Sequence, residues 1–457
     1  MLALAVTSCE FLDVELPKSL VSNKLAFSDD NMATSVALGM YSNLMGGSGS
    51  GFASGGAKSI TTIMGIASDE LVTYNSTTVD YITLEENSIL PSNTNVLNLW
   101  VSAYKSIYDA NTVLEGLSTS TGVSKATKAQ LQGEALFMRA FSHFYLVNTF
   151  GAVPLVTVTN YKENSRVSRT EVSKVYRQIL EDLNLAKDLL SAEYVTTGRL
   201  RVNKAVAQAM LARVYLFLGD WDRAEAEATK VIENGNYQLQ SNLNDVFLAS
   251  SKEAIWQLAV PTNSTISTNE GSYFIITSSG HLNLNRITLR PELIDAFESN
   301  DRRLTNWLSS FDTGVEIVYF PFKYKLRVPS ATAPEYSMVL RLAEQYLIRS
   351  EARARKGNVV GAVKDIDVIR ARAGISLISN TNPGISQPEL LLALEHERQV
   401  ELFVEWGHRW FDLVRTNRAD AVLAPVKASW NPEDNLFPIP QLEINKNSSL
   451  TPQNPGY

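Results

Sequence analysis

The sequence predicts a mainly α-helical protein in which tetratricopeptide-like helix pairs form a scaffold and irregular, partly β insertions form a ligand-binding face. The clearest helix pair lies at 205–235, where apolar stripes at helical spacing flank the turn Gly219-Asp220. The stripes are Ala205, Ala209, Ala212 and Leu216 before the turn and Ala224, Ala228 and Val231 after it. Small residues on facing stripes let two antiparallel helices approach closely, as in tetratricopeptide-type repeats.

A second copy of this pattern occurs in YLIRSEARARKGNVVGAVKDIDVIRARAG, with Gly357 at the turn and Ala362, Ile366 and Ile369 on the second helix. Weaker signals predict two more pairs and a late helical segment: 96–117 with 125–150, 170–190 with a helix that begins near Lys204, and 388–414. Because one pair cannot bury its own apolar face, we expect these pairs to stack on one another.

The regions between the helix pairs are of a different kind. We expect one domain over 10–457, with scaffold at about 95–235 and 339–415 and insertions at about 46–94 and 236–338. The first insertion is rich in Gly, Ser, Thr and Asn, and the second carries short β-like runs such as EAIWQLAV and SYFIIT. Long irregular insertions in a helical scaffold commonly carry function. The ligand contacts are therefore predicted to lie there.

Composition and the N-terminus restrict the possible partners. The chain has 457 residues, a net charge of 41 − 48 = −7 and no basic tract, so a nucleic-acid partner is not expected. Residues 1–9, MLALAVTSC, resemble the end of a bacterial lipoprotein signal with Cys9 as the lipidated residue; a buried N-terminal thiol is the alternative. No apolar run in the rest of the chain reaches about 18 residues, the length that a membrane-spanning helix needs, so we expect a lipid anchor to be the membrane attachment.

The stretch QVELFVEWGHRWFDLVRT, at 399–416, holds the densest group of polar side chains among aromatic residues. A metalloprotease motif fails in the overlapping HERQV, because Val400 stands where the second histidine is needed. His408 and Asp412 lie one helical turn apart and could bind a metal. A histidine hydrogen-bonded within a helix junction is the favoured interpretation.

Two further patterns suggest chemistry but fail on spacing or context. In GFASGGAKS, Ala57 separates the last glycine from Lys58, so the spacing of a phosphate loop is not met. The carboxylate pairs Asp69-Glu70 and Glu85-Glu86 could serve a glycosidase, although paired acids on a loop are commonly solvated or structural. We therefore predict no catalytic residue, no metal site and no cofactor.

The candidate ligand contacts are aromatic and amide side chains in the insertions. Sugar rings present flat apolar faces ringed by hydroxyl groups, which suit stacking aromatics combined with polar donors. The candidates are Tyr74, Asn75, Tyr81, Tyr273, Phe274, Trp307 and Tyr319. Each of these aromatics can equally belong to the core, and Trp100 and Trp256 are expected to be buried.

Six segments, in order along the chain, resemble the SusD/RagB family of the starch-utilisation system, outer-membrane lipoproteins of glycan-scavenging Bacteroidota. They are SCEFLDVELP, LWVSAYKSIYDANTVLEGL, GEALFMRAFSHFYLVNTFGAVPLV, RLAEQYLIRSEARARKGN, ERQVELFVEWGHRWFDLVRT and PIPQLEINKNSSLTPQNPGY. The resemblance implies a cell-surface protein that binds oligosaccharides and passes them, uncleaved, to a SusC-like TonB-dependent transporter. It also implies that Glu401, His408, Arg409 and Asp412 are structural signature positions of the scaffold.

Three alternatives stay open at this point. The same scaffold could bind a peptide or glycopeptide cargo, it could be a repeat module that docks a protein partner, or it could be a glycosidase. The resemblance transfers no ligand-binding residues, so the candidate contacts depend on their location and side-chain chemistry alone.

Overall fold

The computed structural model describes residues 23–46, 50–261 and 264–457. The predicted lipidation site, Cys9, lies outside these residues. The helices of the first half are α1 (Asn23–Ala26), α2 (Asp30–Met45), α3 (Ile60–Ala67), α4 (Val79–Glu85), α5 (Thr94–Thr119), α6 (Lys125–Phe150), α7 (Tyr161–Asn164), α8 (Val172–Leu189), α9 (Lys204–Phe217) and α10 (Trp221–Ile232).

The second half mixes short helices with the remaining scaffold helices. The helices are α11 (Asn269–Phe274), α12 (Ser279–Asn285), α13 (Pro291–Asp295), α14 (Arg302–Trp307), α15 (Leu342–Arg355), α16 (Val359–Ala373), α17 (Ile378–Thr381), α18 (Gln387–Leu402), α19 (His408–Arg415), α20 (Ala419–Leu423) and α21 (Gln441–Lys446). The strands are β1 (Leu71–Thr73), β2 (Ala254–Leu258), β3 (Ile287–Leu289), β4 (Leu308–Asp312), β5 (Ile317–Pro321) and β6 (Ser337–Arg341).

The predicted mainly helical fold is confirmed, and the helix pairs form where the apolar periodicity indicated. α5 packs on α6, α9 on α10, and α15 on α16. Gly219 and Gly357 occupy equivalent turns with φ of 69° and 81°, a backbone conformation that glycine adopts without steric cost. Asp220 and Asn358 follow them and cap the next helix with their side chains. The two turns therefore have the same local structure.

The helix pairs stack as expected, because α10 packs directly on α15. Ala224 and Ala228 of α10 are fully buried. At the edge of the contact, Arg353 Nε lies 2.8 Å from Glu225 Oε1, and Lys356 Nζ lies 3.1 Å from Glu225 Oε2. Small buried side chains thus allow the close approach, and ion pairs lie at its edge.

An aromatic core connects the scaffold to the insertions. The ring centroid of Phe141, on α6, lies 5.3 Å from Trp256 of β2 and 5.5 Å from Trp406. Trp256 and Trp100 are 0% and 3% exposed, so both are core residues as expected. Aromatic contacts of this kind bury large areas and fix relative orientation.

Three antiparallel strand pairs shape the insertions. β2 pairs with β6 from Ala254 opposite Arg341 to Leu258 opposite Ser337, so the two ends of the segment 259–336 lie side by side. β1 of the first insertion pairs with β3 of the second, and β4 and β5 form a hairpin. The insertions are consequently tied both to the scaffold and to each other.

Two local expectations were wrong. The run SYFIIT is not a strand, because Thr268 caps α11 by accepting a hydrogen bond from Gly271 N, and the helix continues to Phe274. The helical segment 388–414 is interrupted at 403–407, where Val404, Trp406 and Gly407 have φ of 50°, 50° and 69°. This break turns α19 away from α18 and places Trp406 in the aromatic core.

Candidate ligand-binding site

The polar stretch at 399–416 lies in a buried cluster of charges. Glu401 is contacted by three guanidinium groups, with Arg303 Nη1 at 3.0 Å and with Arg341 and Arg372 also bonded to its carboxylate. Burial acts to raise the pKa of Glu401, but these three arginines hold that pKa well below its usual value. The carboxylate therefore stays ionised and joins α16, α18 and β6.

The other polar residues of this stretch also bond within the protein. Asp412 Oδ2 accepts from Arg398 Nε at 2.6 Å, and its Oδ1 accepts from Arg415 Nε at 2.8 Å. Arg409 holds Asp69 through two hydrogen bonds of 2.8 and 2.7 Å. These pairs connect α18, α19 and the middle of the first insertion.

His408 is also buried in this junction. Burial, followed by the nearby charge of Arg213, lowers the pKa of His408 well below its usual value, so its imidazole is neutral. A cleft of about 360 Å³ does reach Asp412, but its acids and bases pair with one another, as Arg418 Nε does with Glu395 at 2.9 Å. The geometry favours a structural role for the stretch.

One member of each carboxylate pair considered for glycoside cleavage is held in a structural contact. Asp69 is bonded to Arg409, and Glu85 Oε2 accepts from Thr73 N at 2.9 Å. Glu70 is buried, and burial followed by the charge of Asp69 raises its pKa to about 8.

An extended concave surface is a two-lobed groove along the second insertion, which we call the insertion cleft. Its inner lobe, of about 610 Å³, lies between the C-terminal end of α2 and the segment after β2, and includes Tyr41, Asn43, Arg201 and Val260. Its outer lobe, of about 540 Å³, is lined by Gly56, Ala57, Ser264, Thr265, Ile266, Asn269, Ser272, Tyr273, Leu284, Asn285 and Arg327. Ser264, Ile266 and Asn269 line both lobes, so the two lobes adjoin.

The short helix α11 positions the wall of the cleft. Asn269 Nδ2 donates to Ser54 O at 3.0 Å, which joins α11 to the first insertion. A Cβ at Gly271 would lie 2.2 Å from the carbonyl oxygen of Leu326, so only glycine permits this close approach of the 326–327 backbone. Arg327 is thereby held at the edge of the outer lobe.

Buried polar groups support the same wall from behind. Glu270 accepts a hydrogen bond from Ser337 Oγ of β6, and burial raises the pKa of Glu270 to about 7. A Cβ at Gly55 would lie 2.1 Å from the Glu270 carboxyl carbon. The backbone of the first insertion therefore lies in close contact with α11.

Of the seven candidate contacts, the structure brings Tyr81 and Tyr273 together at the outer lobe. Tyr273 lines the lobe, and its hydroxyl oxygen lies 3.3 Å from that of Tyr81. Tyr81 Oη also donates to Ala57 O at 3.4 Å. Both rings are partly exposed, so they provide an aromatic edge with two hydroxyl groups.

Three other candidates are not among the residues that line the cleft. Tyr74 packs against the apolar cluster that includes Ile275 and Phe320. Asn75 is exposed, and its carbonyl oxygen accepts from Arg286 Nη1 at 2.9 Å. Tyr319 is 38% exposed on the outer face of the β4–β5 hairpin.

The placement of Trp307 and Phe274 on a ligand-contacting face was wrong. Trp307 has no exposed surface, since its indole Nε1 donates to Leu243 O at 3.0 Å and its ring stacks under Lys323 Nζ at 4.9 Å. Phe274 is 4% exposed and packs edge-on against Tyr273. Both belong to the core that supports the insertions.

The sequence analysis missed the polar residues of the outer lobe, including Asn269, Ser272, Asn285 and Arg327. Asn285 Nδ2 donates to the carbonyl oxygen of Tyr273, which joins α12 to α11. The one available signal was the Thr268 helix cap, which would have indicated that Asn269 and Ser272 lie on a helix.

Another cleft, of about 420 Å³, lies on the outer side of α5 and includes Tyr104, Tyr108 and Tyr161. We call it the α5 cleft. Tyr161 is 81% exposed, whereas Tyr104 donates to Pro154 O at 2.8 Å. Glu443 and Lys446 also line it. It is formed by the scaffold and the C-terminal segment, away from the insertions.

In the described part of the chain, no group of three His, Cys, Asp or Glu side chains is placed to hold a metal ion. Within the same residues, no helix is long and apolar enough to cross a membrane.

A stack of helix pairs with irregular insertions defines a repeat-scaffold protein. Residues 10–216 match the family model described as "Starch-binding associating with outer membrane", and residues 312–457 match the model of the SusD family. The chain belongs to the SusD/RagB family.

Relatives and solved structures agree with this assignment. SusD-like protein P2 of Formosa agariphila is 27% identical over 408 residues, covering 78% of this chain and 80% of that protein. The starch-binding protein SusD of Bacteroides thetaiotaomicron is 26% identical over 435 residues, covering 75% of each chain. A SusD superfamily protein of Bacteroides vulgatus superposes with a TM-score of 0.80 at 20% identity, covering 94% of this chain and 100% of its own.

A laminarin-binding SusD-like protein superposes with a TM-score of 0.79 at 24% identity, also covering 94% of this chain and 100% of that one. At these identities the superpositions establish the shared fold.

Proposed function

We propose that this protein is a surface glycan-binding lipoprotein that captures oligosaccharides in the insertion cleft and delivers them to a TonB-dependent transporter without cleaving them. The observation that carries the proposal is the outer lobe, where the Tyr81–Tyr273 edge lies in a groove that Asn269 and Asn285 also line. Stacking surface next to amide donors and acceptors suits a sugar ring and its hydroxyl groups.

The names of the relatives support a glycan as the ligand class, since one is a starch-binding protein and another binds laminarin. The two adjoining lobes offer room for more than one sugar ring. Lipidation of Cys9 would hold the protein at the outer membrane, on the cell surface, where a SusC-like transporter is the proposed partner.

Absence of catalysis is part of the proposal. Two of the four acids that could cleave a glycoside are held in structural bonds, Asp69 by Arg409 and Glu85 by Thr73, and Glu70 is buried. Incubation with each bound polysaccharide should therefore release no reducing ends. Sustained release that disappears in Asp69→Asn or Glu70→Gln would contradict the proposal and favour a glycosidase.

The first test is native affinity electrophoresis of residues 10–457 through gels that contain single polysaccharides. Retardation in one or a few gels is expected. Tyr273→Ala should weaken binding at least about tenfold, because aromatic contacts commonly dominate binding energy. Tyr108→Ala, in the α5 cleft, is the matched control and should bind like the unaltered protein.

Both variants should keep their melting temperature within a few degrees, since each ring is partly exposed. Loss of binding in Tyr108→Ala alone would place the glycan-binding site in the α5 cleft. If no polysaccharide or oligosaccharide binds, by electrophoresis or calorimetry, the glycan proposal is wrong, and a peptide or glycopeptide cargo becomes the leading alternative.

The transporter step has its own test. Full-length protein should co-purify with a TonB-dependent transporter from detergent-solubilised outer membranes of its host. Cys9→Ser should remove the protein from the membrane fraction. A membrane-bound protein that never co-purifies with such a transporter would contradict the delivery role and leave the glycan-binding role in place.

A further inference from the structure

The charges around the insertion cleft are distributed unevenly. The chain carries a net charge of −7, yet no aspartate or glutamate is among the described residues that line either lobe. The α5 cleft and the cleft beside Asp412 both contain carboxylates. An acidic protein thus has an extended groove without negative side chains.

Two arginines line this groove, and they differ in their partners. Arg201, in the inner lobe, is neutralised by Glu134, with Nη2 2.7 Å from Oε1. Arg327, in the outer lobe, donates through Nη1 to the carbonyl oxygen of Ile275, and no carboxylate of the described residues forms an ion pair with it. Arg327 is therefore a cation without a counter-charge inside a candidate binding groove.

In this respect Arg327 differs from the buried arginines of the scaffold. The buried arginines of the scaffold are paired with carboxylates, as Arg139 is with Asp182 and Arg213 with Glu344. Partial burial lowers the pKa of Arg327, with no acid acting against it. An arginine nevertheless stays charged at neutral pH, so a partly desolvated positive charge remains uncompensated.

We propose that the insertion cleft takes an anionic glycan, one that carries carboxylate or sulfate groups, and that Arg327 binds the anionic group. This inference depends on the proposed glycan-binding function. A guanidinium group presents donors in a fixed fork that matches the oxygens of carboxylate and sulfate, and a charged partner strengthens these bonds. Neutral hydroxyl groups would leave the charge of Arg327 uncompensated.

The absence of acidic side chains from the described residues that line the insertion cleft also favours an anionic ligand. A carboxylate in the groove would repel an anionic sugar and would pair with Arg327 in its place. Because the whole protein is negative, non-specific attraction of polyanions is weak. Any preference for an acidic glycan must therefore arise locally in the cleft.

The test compares charged polysaccharides with neutral forms of the same backbone. The probes are polygalacturonate and its carboxyl-reduced form, a carrageenan and its desulfated form, and laminarin as a neutral reference. We expect at least one anionic member to bind, and to bind at least tenfold more tightly than its neutralised form. Which of the two pairs shows this difference identifies the anion as carboxylate or sulfate.

Variants assign the selectivity to Arg327. Arg327→Gln should reduce the preference for the anionic form to within about twofold, whereas Arg327→Lys, which keeps the charge, should retain a clear part of it. Arg177→Gln on the exposed face of α8 removes the same charge outside the groove and should change nothing. Melting temperatures of all three variants report whether the fold is intact.

The outcomes separate the two proposals. Tightest binding to a neutral glycan, unchanged by Arg327→Gln, would overturn the anionic specificity and leave the glycan-binding function standing. Binding to no glycan, charged or neutral, would overturn both. An anionic preference that survives Arg327→Gln in a folded variant would show that another group recognises the anion, and would overturn the role of Arg327.

Discussion

Arg398 and Arg415 illustrate how single charged residues act in this protein. Both guanidinium groups are buried and share the carboxylate of Asp412. A buried ion pair is a weak source of stability by itself, but removing one partner leaves the other charge buried and uncompensated. Substitutions in the 399–416 stretch should therefore lower the free energy of unfolding and leave ligand affinity unchanged.

We predict that Asp412→Ala lowers the free energy of unfolding by about 3–5 kcal/mol and changes glycan affinity by less than about twofold. Chemical denaturation and calorimetry measure the two quantities. The exposed pair Lys174–Glu171 provides the control, since Lys174→Ala should cost less than about 1 kcal/mol. An unchanged denaturation midpoint together with lost binding would show that Asp412 belongs to the ligand site.

Glu70 gives a prediction that depends on pH. Burial raises its pKa to about 8 in the folded protein, above the ordinary value of 4.5. Between these two values the folded state holds a proton that the unfolded state releases, so the contribution of Glu70 to stability falls as pH rises through that window. Glu70→Gln keeps the shape of the neutral acid and removes this titration.

The variant Glu70→Gln should therefore match the unaltered protein near pH 4.5 and exceed it at pH 8 by at least about 1 kcal/mol. Denaturant unfolding at both pH values measures the difference. A stability difference that is equal at both pH values, or that reverses sign, would show that Glu70 is ionised in the folded protein.

Individual aromatic residues show what sequence could and could not predict. Trp256 was expected to be buried because it alternates with Ile255 and Leu258 in a recognisable strand. Trp307 lies in an irregular insertion, and its burial depends on partners that are distant in sequence. One of them is Leu243, whose carbonyl oxygen accepts a hydrogen bond from the indole N–H of Trp307. Local pattern carries no information about such a partner.

At the scale of elements, the α15–α16 turn depends on backbone conformation more than on packing. A Cβ at Gly357 would meet no atom within 4 Å, but the residue has a φ of 81°. Gly384 also has open space around its Cβ position and does not require a positive φ. Comparing alanine substitutions at these two glycines therefore isolates the effect of backbone conformation, because neither added Cβ meets a neighbouring atom.

We predict that Gly357→Ala lowers the free energy of unfolding by about 1–2 kcal/mol, because alanine is strained at positive φ. Gly384→Ala should be neutral or stabilising by up to about 1 kcal/mol, since it restricts the unfolded chain. Urea denaturation of both variants measures the effect. Equal effects in the two variants would mean that the turn conformation does not depend on glycine.

The helix pairs were predictable because their apolar periodicity is local, and the fold formed at the expected bounds, as with α6 at Lys125–Phe150. The sequence predicts that ligand contacts lie in the insertions, which stays a prediction, but it did not indicate which polar residues line the cleft. Tyr273 was identified by its chemistry, whereas Arg327 has no sequence feature that separates it from other arginines. Only the tertiary approach of its backbone to Gly271 places it in the groove.

At the scale of the whole molecule, one hydrophobic cluster runs from Ala26 to Leu450 and includes the strands β2 and β6. Elements that share a core are expected to unfold together. The insertions should accordingly not form a separate folding unit, except at their exposed edge in the β4–β5 hairpin.

Hydrogen exchange tests this expectation. Backbone amides of β2 and β6 should open with a free energy close to that of α6, whereas those of the β4–β5 hairpin should exchange faster. If β2 and β6 open at a free energy more than about 2 kcal/mol below α6, the insertion unfolds independently of the scaffold.

The pairing of β2 with β6 has a consequence for how such proteins diversify. Because the two ends of the segment 259–336 lie side by side, recombination can replace that segment without moving the helices when the new segment keeps the buried contacts of Arg303 with Glu397 and Glu401. The β1–β3 pair adds a further condition, since it joins this segment to the first insertion. A chimera should retain its donor's ligand preference only when both segments are transplanted as a unit.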